Sequence, residues 1–264
     1  MIDRRRFIHD CGSIRTSVPL VLNITNYVAM NYCANALLAI GASPLMSFCP
    51  EEMEELASRC DSLVINIGCL DSQQIKAMRL ASSVFGKMGK KWVLDPVGAG
   101  ASALRKETAL SLVDEFHPSI IRCNASEITA LLGSRVSGRG VDSSLLPDDV
   151  SCIADEFAKK SGCVISVSGP VDYVTDGSHS ERISNGSPLM PRVTATGCVA
   201  SAITGAVAAV EKSSFDAALN AMAIMGVAGE IAASRSEGTG SFQVRFLDEL
   251  SNFDAEKAAE LIRQ

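Results

Sequence analysis

The chain has 264 residues, 47% of them hydrophobic and 20% charged, which is enough to bury a sizeable core in one α/β domain. Aromatic residues make up only 5% while small residues are plentiful, a composition suited to helices packed closely on a sheet. The formal net charge of −6 argues against a nucleic-acid partner, and the one basic cluster, Arg4-Arg5-Arg6, reads as part of a solvated N-terminal arm over residues 1–18.

Nine cysteines are an odd number at scattered spacings with no Cys-x-x-Cys pair, and the three histidines stand at no useful spacing from them. Zinc is therefore not expected, and reduced thiols in a cytoplasmic protein are. The run Pro19-Leu20-Val21-Leu22 is too short for the apolar region of a signal peptide and ends at Asn23. Val193 to Val210 carries no charge, but Ala, Gly, Thr and Ser dominate it and contribute little to membrane insertion, so no membrane span is expected.

In chain order, Ser62 to Ile67 reads as a buried strand and Gln73 to Met88 as a helix. Trp92 to Leu94 is a strand ending at Asp95-Pro96, and Leu104 to Phe116 is a helix. Ser119 to Arg122 is a strand, Ser126 to Leu132 a short helix, and Ser134 to Pro147 an unpatterned surface loop. Helix Asp148 to Lys160 leads into strand Val164 to Val167. This rhythm predicts a mainly parallel central sheet with helices on both faces. Asp176-Gly177 then marks a turn between strands Asp172 to Thr175 and Ser180 to Ile183. Helices follow over Cys198 to Val210, Phe215 to Ser234 and Ala255 to Ile262. No linker or repeat divides the chain, so a single domain over 1–264 is expected.

Asp95, Arg122 and Ser168 lie at the ends of three predicted strands, where ligands bind in open α/β sheets. A fourth element, Thr194-Ala195-Thr196-Gly197-Cys198, opens a long Ala-rich helix. The first N–H groups of a helix lack internal partners and carry partial positive charge, so they suit an anion. Gly197 lets backbone approach a phosphoryl group closely. Cys198, in the first helical turn, is placed where a thiolate is favoured. The same residues also read more plainly: Thr196 as a helix cap, Cys198 as a small buried hydrophobe. The loop is not a Walker motif, because the Gly-Lys-Ser/Thr is missing.

Joined to Asn23-Ile24-Thr25-Asn26-Tyr27-Val28, Gly41-Ala42-Ser43-Pro44-Leu45-Met46, Asp95-Pro96-Val97-Gly98-Ala99-Gly100-Ala101-Ser102 and Asn124-Ala125-Ser126-Glu127-Ile128, this loop makes the chain resemble hydroxyethylthiazole kinases. The resemblance runs from about Val21 to Phe242. It implies a ribokinase-like fold and the ATP-dependent phosphorylation of 4-methyl-5-(2-hydroxyethyl)thiazole in thiamine synthesis or salvage. A homotrimer with active sites between subunits is implied as well.

By that resemblance Cys198 is the acceptor of the alcohol proton, and Thr196 with Gly197 forms the hole for the transferring phosphoryl group. Asp95 and Glu127 organise Mg²⁺, Arg122 and Ser168 contact ATP, and Met46, Ala195 and Asn26 line the substrate pocket. Each has a plainer alternative: turn chemistry for Asp95, favouring its own helix for Glu127, a surface ion pair for Arg122, a turn for Ser168, core filling for Met46. Departures from the usual pattern are Ala195 for Gly, Cys123 for Gly, Ser168 for Thr and Thr239 for Pro. A pyrimidine-alcohol kinase, an ATP-dependent repair enzyme of the same superfamily, and a binder without turnover are the competing functions.

Overall fold

The computed structural model describes residues 1–133 and 147–264. The predicted loop Ser134 to Pro147 lies outside the described residues except at Pro147, which opens a helix.

Eight strands form one sheet: β1 (Leu20–Ile24), β2 (Ser43–Met46), β3 (Ser62–Asn66), β4 (Trp92–Asp95), β5 (Ile120–Asn124), β6 (Val164–Ser168), β7 (Asp172–Thr175) and β8 (Ser180–Ile183), in the order β2-β1-β3-β4-β5-β6-β7-β8. Pairing is parallel from β2 to β6, and β7 and β8 add an antiparallel edge. Parallel strands need covered faces, and alternate residues of each strand serve one face or the other.

One face packs helices α3 (Pro50–Arg59), α4 (Ser72–Lys87), α5 (Ala103–Phe116), α6 (Ala125–Leu132) and α7 (Pro147–Ser161) against Leu22, Ile24, Leu63, Ile65, Leu94, Ile121 and Ile165. The other receives α1 (Arg4–Ser17), α2 (Met30–Ile40), α8 (Thr196–Val210), α9 (Ser214–Ser234), α10 (Thr239–Ser251) and α11 (Ala255–Leu261) against Val21, Val64, Val93, Ile120 and Val164. The period of two places Asn66, Asp95, Arg122 and Ser168 on this second face, that of α8.

Small residues let α8 sit directly on the sheet. A Cβ on Gly205 would stand 2.4 Å from Val64 Cγ2 and 3.2 Å from Val21 Cγ1, so no larger residue fits there without displacing the helix. These contacts, with Cys198 beside the last residue of β3, run α8 antiparallel to the strands. Its N-terminus therefore overlies their carboxyl ends. The charge-free run expected not to span a membrane is this buried helix. Among the described helices, α9 is long and apolar enough to cross a membrane, and 78% of its apolar window is buried within the protein.

The expected solvated arm is instead helix α1. Asp3 caps it by accepting from the N–H groups of Arg5 and Arg6. Phe7 and Ile14 are fully buried on the α8 face, with Cys11 nearly so. Arg6 Nε donates to Glu211 Oε2 at 2.6 Å and Nη1 to Asp216 at 2.6 Å, so one member of the basic cluster is consumed at the C-terminus of α8. Lys91 also donates to the Glu211 carbonyl there, cationic charge at the negative end of the helix dipole. The arm reading missed the apolar spacing of Phe7, Cys11 and Ile14 beneath the arginines.

If α1 is part of the core, Phe7→Ala lowers the unfolding free energy by about 3–5 kcal/mol in a urea titration. Arg5→Ala, on the exposed side, changes it by less than about 0.5 kcal/mol. Equal, small effects from both would contradict the packing.

Candidate active site

Four adjacent parallel strands end in polar residues: Asn66 on β3, Asp95 on β4, Asn124 on β5 and Ser168 on β6, with Asn66 in register with Asp95 and Asn124 with Ser168. Arg122 lies two residues before the end of β5, opposite Ser166. Over these ends stands the first turn of α8.

That turn lacks a side-chain cap. Ala195 occupies the N-cap position, and the Thr196 hydroxyl donates backwards to the Val193 carbonyl at 2.8 Å. The reading of Thr196 as only a helix cap is thus corrected, since it is the first helical residue and caps no N–H. Arg122 lies over the same turn: a Cβ on Gly197 would be 3.1 Å from Arg122 Nη1. Arg122 Nη2 donates to Ser168 Oγ at 2.6 Å, and Nε is buried without a partner. The alternative of a surface ion pair fails, because the arginine is buried and held by a hydroxyl.

Asp95 is fully enclosed. Its Oδ2 accepts from Asn66 Nδ2 and Ser201 Oγ, both at 2.7 Å, while Oδ1 is buried with no partner. Burial pushes its carboxyl up to about 7, with Glu127 adding to the rise and Arg122, Ser201 and Asn66 opposing it. Burial also raises Glu127, whose oxygens accept the N–H of Asn124 at 2.8 Å and of Gly98 at 3.0 Å. The first bond completes a capping box on α6, so Glu127 does favour its own helix. The second pins the turn after β4, where Gly98 has φ +67°. Arg105 reinforces that turn, donating to the carbonyls of Ile67, Val97 and Gly68 at 2.7–2.9 Å. Asp172 is a third buried carboxylate in the field of Arg122, raised to about 6 by burial; it accepts Gly169 N–H at 3.0 Å and shapes the loop after β6.

Cys198 is partly buried, and its sulfur accepts from Asn66 Nδ2 at 3.2 Å and Asn26 Nδ2 at 3.4 Å. Burial, then the charge of Asp95, pushes the thiol up to about 11 against those two donors and Arg122. The expected preference for thiolate is thus corrected: desolvation and a neighbouring carboxylate outweigh the helix end.

Met46 ends β2 in register with Asn23, half-buried on the α8 face, and Ala195 packs on the same core. Both do fill core; each is also partly open. Ala195 has φ +68°, a left-handed conformation that a glycine adopts freely and an alanine does not.

Among the described residues no group of three or more His, Cys, Asp or Glu could hold a metal by itself. Two carboxylates with an unpartnered Asp95 Oδ1 nevertheless suit Mg²⁺, which keeps several waters and takes one or two carboxylates beside phosphate. Sequence reasoning brought Asn26, Asp95, Arg122, Ser168, Gly197 and Cys198 to this crevice and missed Asn66, Ser201, Arg105 and Asp172. Asn66 ends a strand as Asp95 does, and Ser201 stands three residues after Cys198 on one helix face. Both signals were present.

The crevice at the strand ends, with an open helix N-terminus, buried carboxylates and an arginine, stands on a fold of the ribokinase-like class. A structure described as a ribokinase-like superfamily protein from Enterococcus faecalis shares this fold, with a TM-score of 0.65 and 14% identity over 92% of this chain and 89% of that one. The hydroxyethylthiazole kinase family model matches residues 12–256, and the chain belongs to that family. A hydroxyethylthiazole kinase of Oleidesulfovibrio alaskensis is 49% identical over 95% of each chain. The solved hydroxyethylthiazole kinase protein of Pyrococcus horikoshii is 36% identical, with a TM-score of 0.90 over 98% of each.

Two measurements check the site. Ala195→Gly relieves the left-handed alanine and raises the unfolding free energy by about 0.5–1 kcal/mol, net of the glycine's greater freedom when unfolded. Alkylation of Cys198 by iodoacetamide, followed by peptide mapping, accelerates with pH toward a midpoint of about 11. A midpoint near an ordinary thiol's, about 8.5, contradicts the burial described.

Proposed function

We propose that the chain transfers the γ-phosphoryl group of ATP to the hydroxyl of 4-methyl-5-(2-hydroxyethyl)thiazole, giving the thiazole phosphate and ADP in thiamine synthesis or salvage. Family membership supports the substrate. The observation that carries the chemistry is the convergence of Asp95, Arg122 and Ser168 on the uncapped first turn of α8, beside Cys198.

On this reading the anion hole expected at Thr196 and Gly197 shifts one residue on: the Thr196 N–H is given to the Val193 carbonyl at 3.4 Å, and the N–H groups at Gly197 and Cys198, with the Arg122 guanidinium, stabilise the charge that spreads over the transferring oxygens. Ser168 fixes the arginine for ATP. Met46, Ala195 and Asn26 hold the thiazole so that its hydroxyl meets the phosphorus in line. The alcohol oxygen bonds to phosphorus as the bond to the ADP oxygen breaks, and the hydroxyl proton passes to Cys198 Sγ. A loose transition state needs little base strength, so the small thiolate fraction suffices when positioning and charge are right. Asp95 and Glu127 would hold Mg²⁺, whose charge would offset that of the phosphates.

A homotrimer with sites between subunits belongs to the same proposal. Tyr27 and Val28 are 58% and 66% exposed immediately after Asn26, apolar surface beside a residue assigned to the substrate on this reading. Nine free cysteines, one of them needed as a thiol, agree with a cytoplasmic setting.

With Mg²⁺ and ATP, purified protein forms ADP in the presence of hydroxyethylthiazole and prefers it to a hydroxymethylpyrimidine. Cys198→Ala lowers kcat by about 10²–10⁴-fold, the range of a lost proton-transfer group. Wild-type kcat rises with pH above neutrality as the thiolate fraction grows, and that rise is absent in Cys198→Ala. Preference for the pyrimidine, or unchanged turnover by the variant, refutes the assignment.

A further inference from the structure

Cys198 and Asp95 sit on different elements, and one side chain joins them. Asn66, at the end of β3 and 1% exposed, makes four hydrogen bonds. Its Nδ2 donates to Asp95 Oδ2 at 2.7 Å and to Cys198 Sγ at 3.2 Å. Its Oδ1 accepts from Asn26 Nδ2 and from Gly68 N, each at 2.9 Å. A carboxamide has two donors and two acceptor lone pairs, so every one is used. The orientation is determined as well, because a backbone N–H can only meet the oxygen end.

The surroundings hold that amide in place. β3 is paired on both sides, to β1 and β4, and Asn66 is in register with Asp95. A Cβ on Gly68 would lie 2.9 Å from Asn66 Oδ1 and 2.7 Å from Asn26 Nδ2, so residue 68 must be glycine for the two amides to meet. Asn26 is itself anchored, accepting the Ala29 N–H at 3.0 Å. Since Asn26 also donates to Cys198 Sγ, two amides converge on the sulfur and one of them is tied to the carboxylate.

Resting on the kinase reading above, we propose that Asn66 is a positioning residue for phosphoryl transfer, acting through Cys198. It fixes the sulfur relative to Asp95, and so relative to the hydroxyl whose proton the sulfur receives. No other natural side chain reproduces the arrangement. Aspartate keeps the two acceptor bonds and loses the donor to Cys198, the one proton it can hold being shared with Asp95, glutamine is a methylene too long, and serine has one donor.

Aspartate therefore separates the role from mere support. Asn66→Asp preserves the bonds to Gly68 and Asn26 that brace the loop and, through the proton that two buried carboxyls share at this distance, the link to Asp95, while it deletes the donor to Cys198. In a steady-state assay, N66D is expected to lose about 30- to 100-fold in kcat, the penalty of a misplaced reacting group, with KM for ATP and alcohol within about threefold of wild type. In the C198A background the same change costs less than about threefold further, because residues acting as a unit are not additive. If N66D does not melt cooperatively, N66S carries the same cycle. Unchanged kcat, a loss expressed in KM, or losses that multiply in the double variant overturn the role of Asn66. Absence of wild-type turnover in the same assay overturns the kinase reading itself, and this inference with it.

Discussion

The contact between α8 and the sheet is the constraint on which the crevice depends. Gly205 meets Val64 and Val21 at a distance that excludes any side chain, so the helix axis is fixed against β1 and β3. Its first turn is then delivered to the strand ends, where Gly197 faces Arg122, Cys198 faces Asn66 and Ser201 reaches Asp95. A helix held away by larger residues would leave Asp95 and Cys198 without these partners. The scarcity of aromatics and abundance of Ala and Gly in the chain thus have a specific structural use. At the opposite end, Arg6 and Lys91 complement the helix dipole, and α1 closes over that face.

Electrostatically the crevice is, among the described residues, an acidic enclosure around the buried Arg122. Asp95, Glu127 and Asp172 are all raised by burial, and Arg122 opposes the rise at each. Such a site holds its carboxylates ionised more readily when further positive charge arrives with the substrate. The same field keeps Cys198 a thiol. A chain that left this residue to act by base strength alone would be poorly served, whereas loose phosphoryl transfer depends mainly on placement and charge. The left-handed Ala195 is a local strain at this turn, just ahead of Thr196 and Gly197.

Much of the fold was legible because the strands from β3 to β8 are short apolar runs punctuated by Gly, Pro and Asp. β7 and β8 fall where the alternation and the Asp176-Gly177 turn put them. The edges were harder. α1 was hidden by three arginines that dominate its composition. α2, α3 and α10 went unassigned, although Phe242, Phe246 and Leu250 repeat at helical spacing. At the site, strand-end position was enough to find Asp95, Arg122 and Ser168. It would have found Asn66 too, had an uncharged amide been weighed like a carboxylate. The shift of Cys198 was beyond reach, since burial and Asp95, distant in sequence, set it.

On the proposed function, the first turn of α8 receives the transferring phosphoryl group beside Cys198. The most direct measurement is a crystal structure with Mg²⁺, a non-hydrolysable ATP analogue and hydroxyethylthiazole. The terminal phosphoryl group is expected on the N–H groups at Gly197 and Cys198, with Arg122 in contact and the alcohol oxygen within hydrogen-bonding distance of Cys198 Sγ. A terminal phosphoryl group bound away from that turn, or an alcohol directed away from the sulfur, would contradict it.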